Sequence, residues 1–269
     1  MQLTWLLDEK GEEAGVSDLR PAITSIGDRY LTISRKEARI GTQEQTLPLH
    51  SSPTLAYGSV EFVKAIRNDF YPGKWCDWAA LRCDRYFANV GALLVNEDYL
   101  LLPAAEVRRR QSTLLMQWNS LFLRPARADK PFSGFVAHSP DDIERQLGTV
   151  EAYDLVVVAP AKAIESEYRM VAVRSKGIVA ASQYMRNGQF IIQRDAPSAV
   201  YQVAASVVEL LGEDFPDPMY IVDIAHVEDE YRLLEINGFS YAVLYDCDLE
   251  AIVRAAHEEA LHEWDEMQL

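Results

Sequence analysis

The sequence predicts an α+β fold with a smaller α/β lobe at its N-terminal end. In the second half, short apolar runs alternate with polar turns and amphipathic segments, which is typical of hairpin-rich sheets that carry helices on one face. In the first third, an apolar strand at 1–7 is followed by shorter apolar pieces and a short helix. We therefore expect an α/β lobe at 1–75, a helical connection at 76–120 and a mixed sheet-and-helix region at 121–269.

Composition limits the classes of protein that the chain can belong to. Hydrophobic residues make up 49% of the 269 residues, which is enough for a substantial core. The formal net charge of −15 argues against a general nucleic-acid binder, which needs an excess of Lys and Arg. The three cysteines have no zinc-site spacing and suit a reducing compartment. No signal peptide and no apolar run of ~20 residues is found, so we expect a cytoplasmic protein without a membrane span.

Helix and strand signals place the remaining elements. Ser59 is a candidate N-cap for a helix with apolar residues at 60, 63 and 66. Ser139 followed by Pro140 marks a second helix start, and Asp248 marks the start of the last helix. The other predicted elements are strands at 121–125, 135–137, 155–160, 167–173 and 178–184, and helices at 198–211 and 249–266.

The most informative stretch is a predicted hairpin at 220–237. Asp223 lies in one apolar run, and after a polar turn at 226–230 a second run delivers Glu235 and Asn237. Alternation along a strand places Glu235 and Asn237 on one face, and Asp223 can lie beside them. Three oxygen-bearing side chains suit a hard cation such as Mg²⁺. The alternative is a polar outer face of a hairpin.

Basic residues precede this hairpin in the chain. Arg124 closes a strand, and Lys130 lies in a loop with Ser133 and Gly134, where glycine permits close backbone approach. Together with the acids of the hairpin they suggest a polyphosphate held between cations, since Arg contacts phosphate in a bidentate manner and Lys acts as a point charge. Taken singly, each is also compatible with a solvated surface residue.

These motifs in this order resemble the ATP-grasp ligases, and within them the group marked by two arginines and a lysine. The segments 121–125 and 130–134 are similar to that group's F-x-R-P and K-x-F-[ST]-G elements. The resemblance implies that a nucleotide is held between two sheet-containing lobes. It also implies that Arg124 and Lys130 contact its phosphates, and that Ser133 and Gly134 belong to the loop that covers them.

Further positions match the nucleotide and metal sites of such enzymes. The strand that ends at Pro160 resembles the hinge whose backbone meets adenine, here near Lys162. Glu167 matches the acid that binds ribose, and the motif of Asp223, Glu235 and Asn237 matches the metal triad. The resemblance therefore implies that residues 121–269 form the nucleotide- and metal-binding region.

Two departures from the family pattern concern charge. Many relatives carry Glu at the hinge, where this chain has Ala159 or Pro160. Many also carry a basic residue two positions before the metal-binding Asp, where this chain has Ile221. Arg169, which alternates with Glu167 along its strand, or Arg174, in the following turn, could supply that charge.

The resemblance implies an activity as well. ATP and Mg²⁺ would be the cofactors of a carboxylate–amine ligase that forms an acyl-phosphate and then an amide, with Arg124, Lys130 and Arg169 as catalytic residues. The segment after Asn237 borders the acceptor site in such ligases, so Ser240 and Tyr245 are candidate contacts for a small-molecule or peptide carboxylate or amine, and Arg174 is a further candidate.

Two other functions stay open at this stage. The chain could be a nucleotide-binding regulatory or partner-binding module without ligase turnover, as the departures above suggest. It could also act on nucleic acid through a basic strip of Arg108, Arg109, Arg110, Arg124 and Arg127, which the overall charge makes unlikely. The sequence identifies neither the acid and amine nor the oligomeric state.

Overall fold

The strands form three sheets in the described part of the chain. A computed structural model describes residues 1–11, 15–40, 52–66, 70–213 and 215–269. Each sheet is made of strands from one stretch of sequence, with the strand orders β2-β1-β3-β4, β5-β8-β6-β7 and β11-β10-β9-β12-β13. We refer to them as the N-terminal, central and C-terminal sheets.

The N-terminal sheet is parallel and belongs to an α/β unit. Its strands are β1 Thr4–Asp8, β2 Arg29–Ile33, β3 Thr54–Tyr57 and β4 Pro72–Gly73. Its helices are α1 Val16–Ser25, α2 Arg35–Ile40 and α3 Val60–Ala65. The hydroxyl of Ser59 accepts the Phe62 N–H, which confirms the predicted N-cap of α3.

The central sheet is antiparallel and carries two helices on one face. It consists of β5 Leu100–Pro103, β6 Leu121–Pro125, β7 Phe135–Ala137 and β8 Leu155–Pro160, with α5 Ala104–Trp118 and α6 Pro140–Leu147. Leu121 and Leu123 of β6 pack against these helices in one cluster. Because side chains alternate along a strand, Phe122 and Arg124 point to the opposite face. Ser139 and Asp142 form a capping box at α6, as its predicted start implies.

The predicted helical connection at 76–120 is helical only in part. It contains the helices α4 Cys83–Val90 and α5, but Leu100–Pro103 is a strand that pairs with β8. A run of four apolar residues directly before a strong helix-forming segment is too short to distinguish a strand from a helix by periodicity.

The C-terminal sheet is antiparallel and has helices on both faces. Its strands are β9 Ser166–Val173, β10 Gly177–Arg186, β11 Gln189–Arg194, β12 Met219–Val227 and β13 Glu230–Gly238, and its helices are α7 Ser198–Leu211 and α8 Leu249–Met267. Asp248 caps α8 through the Glu250 and Ala251 N–H groups, as predicted. The edge strand β11 was not predicted, since all six of its residues are exposed and it lacks a buried alternating face.

One face of the C-terminal sheet leads to the candidate site. Val171, Val173 and Ile221 pack in one core cluster with α8 and the N-terminal sheet. Alternation places Arg169 and Glu167 on the same face, further along β9. Helices α4 and α7 cover the other face, where Met170, Ala172 and Val222 are buried. Within the described ranges, no helix combines the length and apolar character needed to cross a membrane.

Candidate active site

The predicted β12–β13 hairpin forms around a two-residue turn. Glu228 and Asp229 both have positive φ, 51° and 64°, which fits the right-handed twist of a tight hairpin. The turn is shorter than the predicted 226–230. Asp223 lies directly opposite Glu235 in the ladder, and a bulge follows at once, where Ile224 pairs with Leu233. The two carboxylates therefore project from the same face of the sheet.

The three predicted metal ligands lie together. Asn237 Nδ2 donates to Asp223 Oδ2 at 3.0 Å and to Glu235 Oε1 at 2.9 Å. Two carboxylates and an amide match the oxygen donors that Mg²⁺ prefers, and Mg²⁺ in proteins commonly takes one or two carboxylates with substrate phosphates. The described residues contain no group of three His, Cys, Asp or Glu side chains suited to a metal. A cation here therefore depends on the Asn237 amide oxygen or on a ligand from the substrate.

Two cations converge on Glu235. Arg124 Nη2 and Lys130 Nζ each lie 2.9 Å from a different oxygen of this carboxylate. Burial opposes ionisation of Glu235, but the charges of Lys130 and Arg124 outweigh it and hold its pKa far below the usual range. Leu234 is the extra residue of the β13 bulge, and its carbonyl accepts Arg124 Nη1 at 3.4 Å.

Arg169, rather than Arg174, lies at the carboxylate of Asp223. It pairs with Asp223 across β9 and β12, and its Nε and Nη2 donate to the two carboxylate oxygens at 2.9 and 2.7 Å. A third donor, Nη1, reaches the Val243 carbonyl at 2.6 Å. Burial raises the pKa of Asp223, and Arg169 opposes that shift. Bidentate pairing of this kind fixes the position of the carboxylate and favours its ionised form.

A cavity of about 260 Å³ adjoins this cluster, between the central and C-terminal sheets. A Cβ added to Gly134 would lie 3.1 Å from the Phe122 ring, so the absence of a side chain at Gly134 leaves room where the loop approaches β6. The lining residues are Phe122, Arg124, Pro125, Lys130, Gly134, Ile164, Glu167, Tyr184, Leu234 and Glu235.

Glu167 lines the cavity together with an aromatic residue that the sequence interpretation missed. Tyr184 donates its hydroxyl to Glu167 Oε2 at 2.5 Å. Burial raises the pKa of Glu167, and this hydrogen bond partly counteracts the rise. Tyr184 is the extra residue of a bulge in β10, so strand alternation gave no signal for its direction. Its ring stacks on Tyr245 with 4.7 Å between centroids, and both rings lie within 5.5 Å of the Arg169 guanidinium.

Comparison with protein families shows to which family the chain belongs. The model of an ATP-grasp domain, family 2 of the clade marked by two arginines and a lysine, matches residues 106–255, which is more than half of the chain. The chain belongs to this ATP-grasp family. The resemblance predicted from the sequence and the α+β ATP-grasp fold are thereby confirmed.

Solved structures support the ATP-grasp fold over nearly the whole chain. D-cycloserine synthetase DcsG is similar with a TM-score of 0.63 and 14% identity, covering 97% of this chain and 100% of that one. The ATP-grasp ligase PsnB with its minimal precursor gives 0.60 and 12%, covering 98% and 100%. D-alanine–D-alanine ligase from Bacillus anthracis with ATP gives 0.60 and 9%, covering 99% of each chain. Comparison with curated proteins found no significant match.

Three of the expected nucleotide contacts lie beside the ATP-grasp cavity rather than in its lining. Lys162 lines a neighbouring cavity of about 30 Å³ that shares Phe122, Ile164 and Leu234 with the larger one. Pro160 ends β8 and pairs with Leu121 of β6. Ser133 is exposed in the loop that leads to Gly134.

Two of the expected substrate contacts lie elsewhere. Arg174 follows β9, about 16 Å of strand beyond Arg169, and donates to the Glu213 and Phe215 carbonyls. Ser240 is fully buried, and its hydroxyl accepts the Trp75 N–H at 2.9 Å. Position along the sequence could not reveal that these polar groups already have partners within the fold. Tyr245, in contrast, lies beside Arg169.

The basic strip considered from the sequence does not form. Arg124 is buried at the cavity. Arg109 and Arg110 pair with Glu106 on their own helix, and Arg108 donates to the carbonyls of Leu147, at the end of α6, and of Val150. Arg127, the fifth residue of the strip, pairs with Asp129 and Asp154 in the loop after β6.

Proposed function

We propose that this ATP-grasp protein is an ATP-dependent ligase that joins a carboxylate to an amine, forms an acyl-phosphate on the way and releases ADP. The observation that carries the proposal is the meeting of Arg124 and Lys130 on Glu235 at the wall of the cavity between the two antiparallel sheets. At this wall, carboxylates that can bind a metal ion lie next to cationic side chains that can bind phosphate.

The metal would be held by Asp223, Glu235 and Asn237. The hydrogen bonds of Asn237 to both acids support this assignment, because all three side chains already converge on one point. Mg²⁺ bound there would neutralise phosphate charge. Arg169 is proposed to act through Asp223, since its two donors fix the direction of that carboxylate.

The phosphates would be held by Arg124 and Lys130. Both side chains line the cavity, and the carboxylate that they now share can be exchanged for phosphate oxygens of similar charge and geometry. Lys130 has a positive φ of 45° and a half-exposed side chain, so it lies at the open side of the site. We propose that the backbone at Ser133 and Gly134 closes over the same phosphates.

The nucleoside would extend away from the carboxylate cluster. Glu167 lines the cavity and, when ionised, can accept hydrogen bonds from ribose hydroxyls. We propose that the backbone between Pro160 and Lys162 contacts adenine, since the small cavity at Lys162 continues the larger one.

The chemistry of this proposal needs no nucleophile from the protein. A substrate carboxylate attacks the γ-phosphorus of ATP, ADP leaves, and the amine then displaces phosphate with loss of a proton. Positive charge from Arg124 and Lys130 stabilises the transferring phosphoryl group. The structural neighbours include a D-cycloserine synthetase and a ligase bound to a precursor peptide. We infer a small molecule or a peptide for the acid and the amine, with Tyr245 as a contact.

The test is ADP release in the presence of Mg²⁺ and a panel of amino acids and peptides. The proposal expects release that depends on both an acid and an amine, and that is abolished by Asn237→Ala. Asn89→Ala, at an exposed position of α4, is the matched control and should retain turnover. Full turnover by Asn237→Ala contradicts the site assignment. Mg²⁺-dependent binding of a non-hydrolysable ATP analogue without turnover of any pair would favour the nucleotide-binding module instead.

A further inference from the structure

A second cleft opens between α3 and the loop that follows β6. Its volume is about 610 Å³, more than twice that of the candidate nucleotide cavity. Four cations and one carboxylate contribute to its wall. The lining residues are Lys64, Lys74, Trp78, Ala79, Arg82, Arg127, Ala128 and Asp129. Asp84 and Asp154, just outside the lining, pair with Arg82 and Arg127, so the four cations face three carboxylates in all.

The carboxylate of Asp129 demonstrates what the cleft can bind. Lys64 Nζ lies 3.1 Å from Asp129 Oδ2, and Arg127 Nε and Nη2 donate to the two oxygens at 2.9 and 2.8 Å. The side chains of Lys64 and Arg127 remain about two-fifths exposed in this arrangement. Arg127 Nη1 also contacts Asp154 at 3.5 Å, but both side chains have more N–H groups than these contacts use, so a second carboxylate can join or replace the one that the chain supplies.

The other two cations extend the positive wall. Lys74 Nζ donates to the Val63 and Ile66 carbonyls at 3.3 and 3.0 Å, which holds it at the end of α3. Arg82 uses Nε and Nη2 on Asp84, which leaves Nη1 as a donor. The cations thus come from α3, from the segments before α4 and from the loop after β6, so a ligand with two or more carboxylates can contact several of them at once.

Trp78 gives the cleft an apolar surface. Its ring stacks on Tyr241 with 5.0 Å between centroids, and Lys64 Nζ lies 5.6 Å from its centroid. Ala79 and Ala128 complete this surface. Pockets that bind small ligands usually combine such an apolar surface with a few placed polar groups, in volumes of about 300–1,000 Å³.

We propose that this cleft binds a carboxylate-bearing ligand with an apolar portion, either an acidic segment of a peptide or a small organic acid. The carboxylates lie against Lys64 and Arg127, and the apolar portion covers Trp78. The overall negative charge disfavours a dense polyanion such as nucleic acid at this site. Asp129 and Lys130 are consecutive but line different cavities, so the ligand would contact the loop that carries Lys130. The binding does not depend on ligase turnover.

The test is isothermal titration of the full chain without nucleotide. The probes are the peptide Ac-Glu-Phe-Glu-Glu-NH₂, its neutral counterpart Ac-Gln-Phe-Gln-Gln-NH₂, and tricarballylate as a small acid. We expect the acidic peptide or tricarballylate to bind with an affinity that falls with salt, and the neutral peptide not to bind. The stronger of the two acidic probes identifies the source of the ligand. Failure of both acidic probes to bind at millimolar concentration overturns the proposal.

Substitutions in the cleft should change the affinity for the acidic probes in opposite directions. Lys64→Ala and Arg127→Ala should each weaken binding about tenfold, whereas Asp129→Asn should strengthen it because the competing carboxylate is removed. Arg109→Ala, at an exposed arginine paired with Glu106 outside the cleft, is the control and should change nothing. Thermal midpoints establish that the variants are folded, and Lys64→Gln serves if Lys64→Ala is not. Equal affinities across the variants, or preferential binding of an oligothymidylate, would refute the assignment.

Discussion

Arg169 and Asp223 face each other across β9 and β12 and form a buried bidentate ion pair. Nε and Nη2 of the arginine lie 2.9 and 2.7 Å from the two carboxylate oxygens, and Asp223 is completely buried. The arginine reaches the carboxylate from the neighbouring strand, because directly paired residues of adjacent strands project from the same face.

Removal of Arg169 should therefore cost stability. In Arg169→Met the Asp223 carboxylate is left buried without its cation, and loss of one partner of a buried pair costs about 3–5 kcal/mol. Urea unfolding at pH 7 measures this loss. The deficit should shrink by at most about 1.4 kcal/mol for each pH unit below 7, because protonation of Asp223 removes the unpaired charge.

A second substitution separates charge from packing in this prediction. The variant Arg169→Met with Asp223→Asn has no buried carboxylate at this position, so it should recover part of the stability at pH 7 and lose the dependence on pH. If the double variant is as unstable as the sum of the two single ones, charge pairing is not what Arg169 contributes.

The sequence was sufficient to predict the acid hairpin because two independent signals agreed there. Alternation placed Glu235 and Asn237 on one face, and the polar turn indicated a hairpin in which Asp223 can lie beside them. It could not choose between Arg169 and Arg174, because that choice depends on the register between β9 and β12, which are separated by two strands and a helix in the chain. The sequence also shows no sign of the bulges in β10 and β13, which determine where Tyr184 and Leu234 lie.

The tyrosine at the β10 bulge should control the pH dependence of nucleotide binding. Burial raises the pKa of Glu167, so its ionised form, which we propose accepts hydrogen bonds from ribose, declines as the pH falls through that raised value. Affinity for a Mg²⁺-bound non-hydrolysable ATP analogue should fall with it. The Tyr184 hydroxyl favours the ionised form, so Tyr184→Phe should move the midpoint up by about one pH unit.

Tyr201→Phe provides the matched control for that experiment. Tyr201 also donates to a carboxylate, Asp195, at 2.6 Å, but this pair lies on the surface away from the cavity. Its loss should leave the pH profile of binding unchanged. A profile that is the same in wild type and Tyr184→Phe would show that Glu167 does not govern nucleotide affinity.

A methyl group at Gly134 should interfere with the nucleotide and spare the fold. The added Cβ would lie 3.1 and 3.2 Å from Phe122 ring atoms, so the ring must shift by a few tenths of an ångström within the cavity wall. A shifted ring changes the shape of the cavity, so we expect Gly134→Ala to bind the ATP analogue about tenfold more weakly, which is about 1.4 kcal/mol. Gly91→Ala, where a Cβ meets no atom within 4 Å, should bind normally. Equal affinities of the two variants would mean that this loop does not cover the nucleotide.

Substitution of Ser240 tests whether its hydroxyl is structural or contacts the substrate. Its side chain is fully buried and accepts the Trp75 N–H, which joins the segment after β13 to the N-terminal lobe. Ser240→Ala leaves that N–H without a partner, and a buried unsatisfied donor costs about 1–3 kcal/mol. We therefore expect a lower free energy of unfolding with unchanged KM for the acid and the amine. Ser25→Ala, which removes an exposed hydroxyl bonded to Ala22, should alter neither quantity. A raised KM with unchanged stability would instead support Ser240 as a substrate contact, as its position after Asn237 in the sequence predicts.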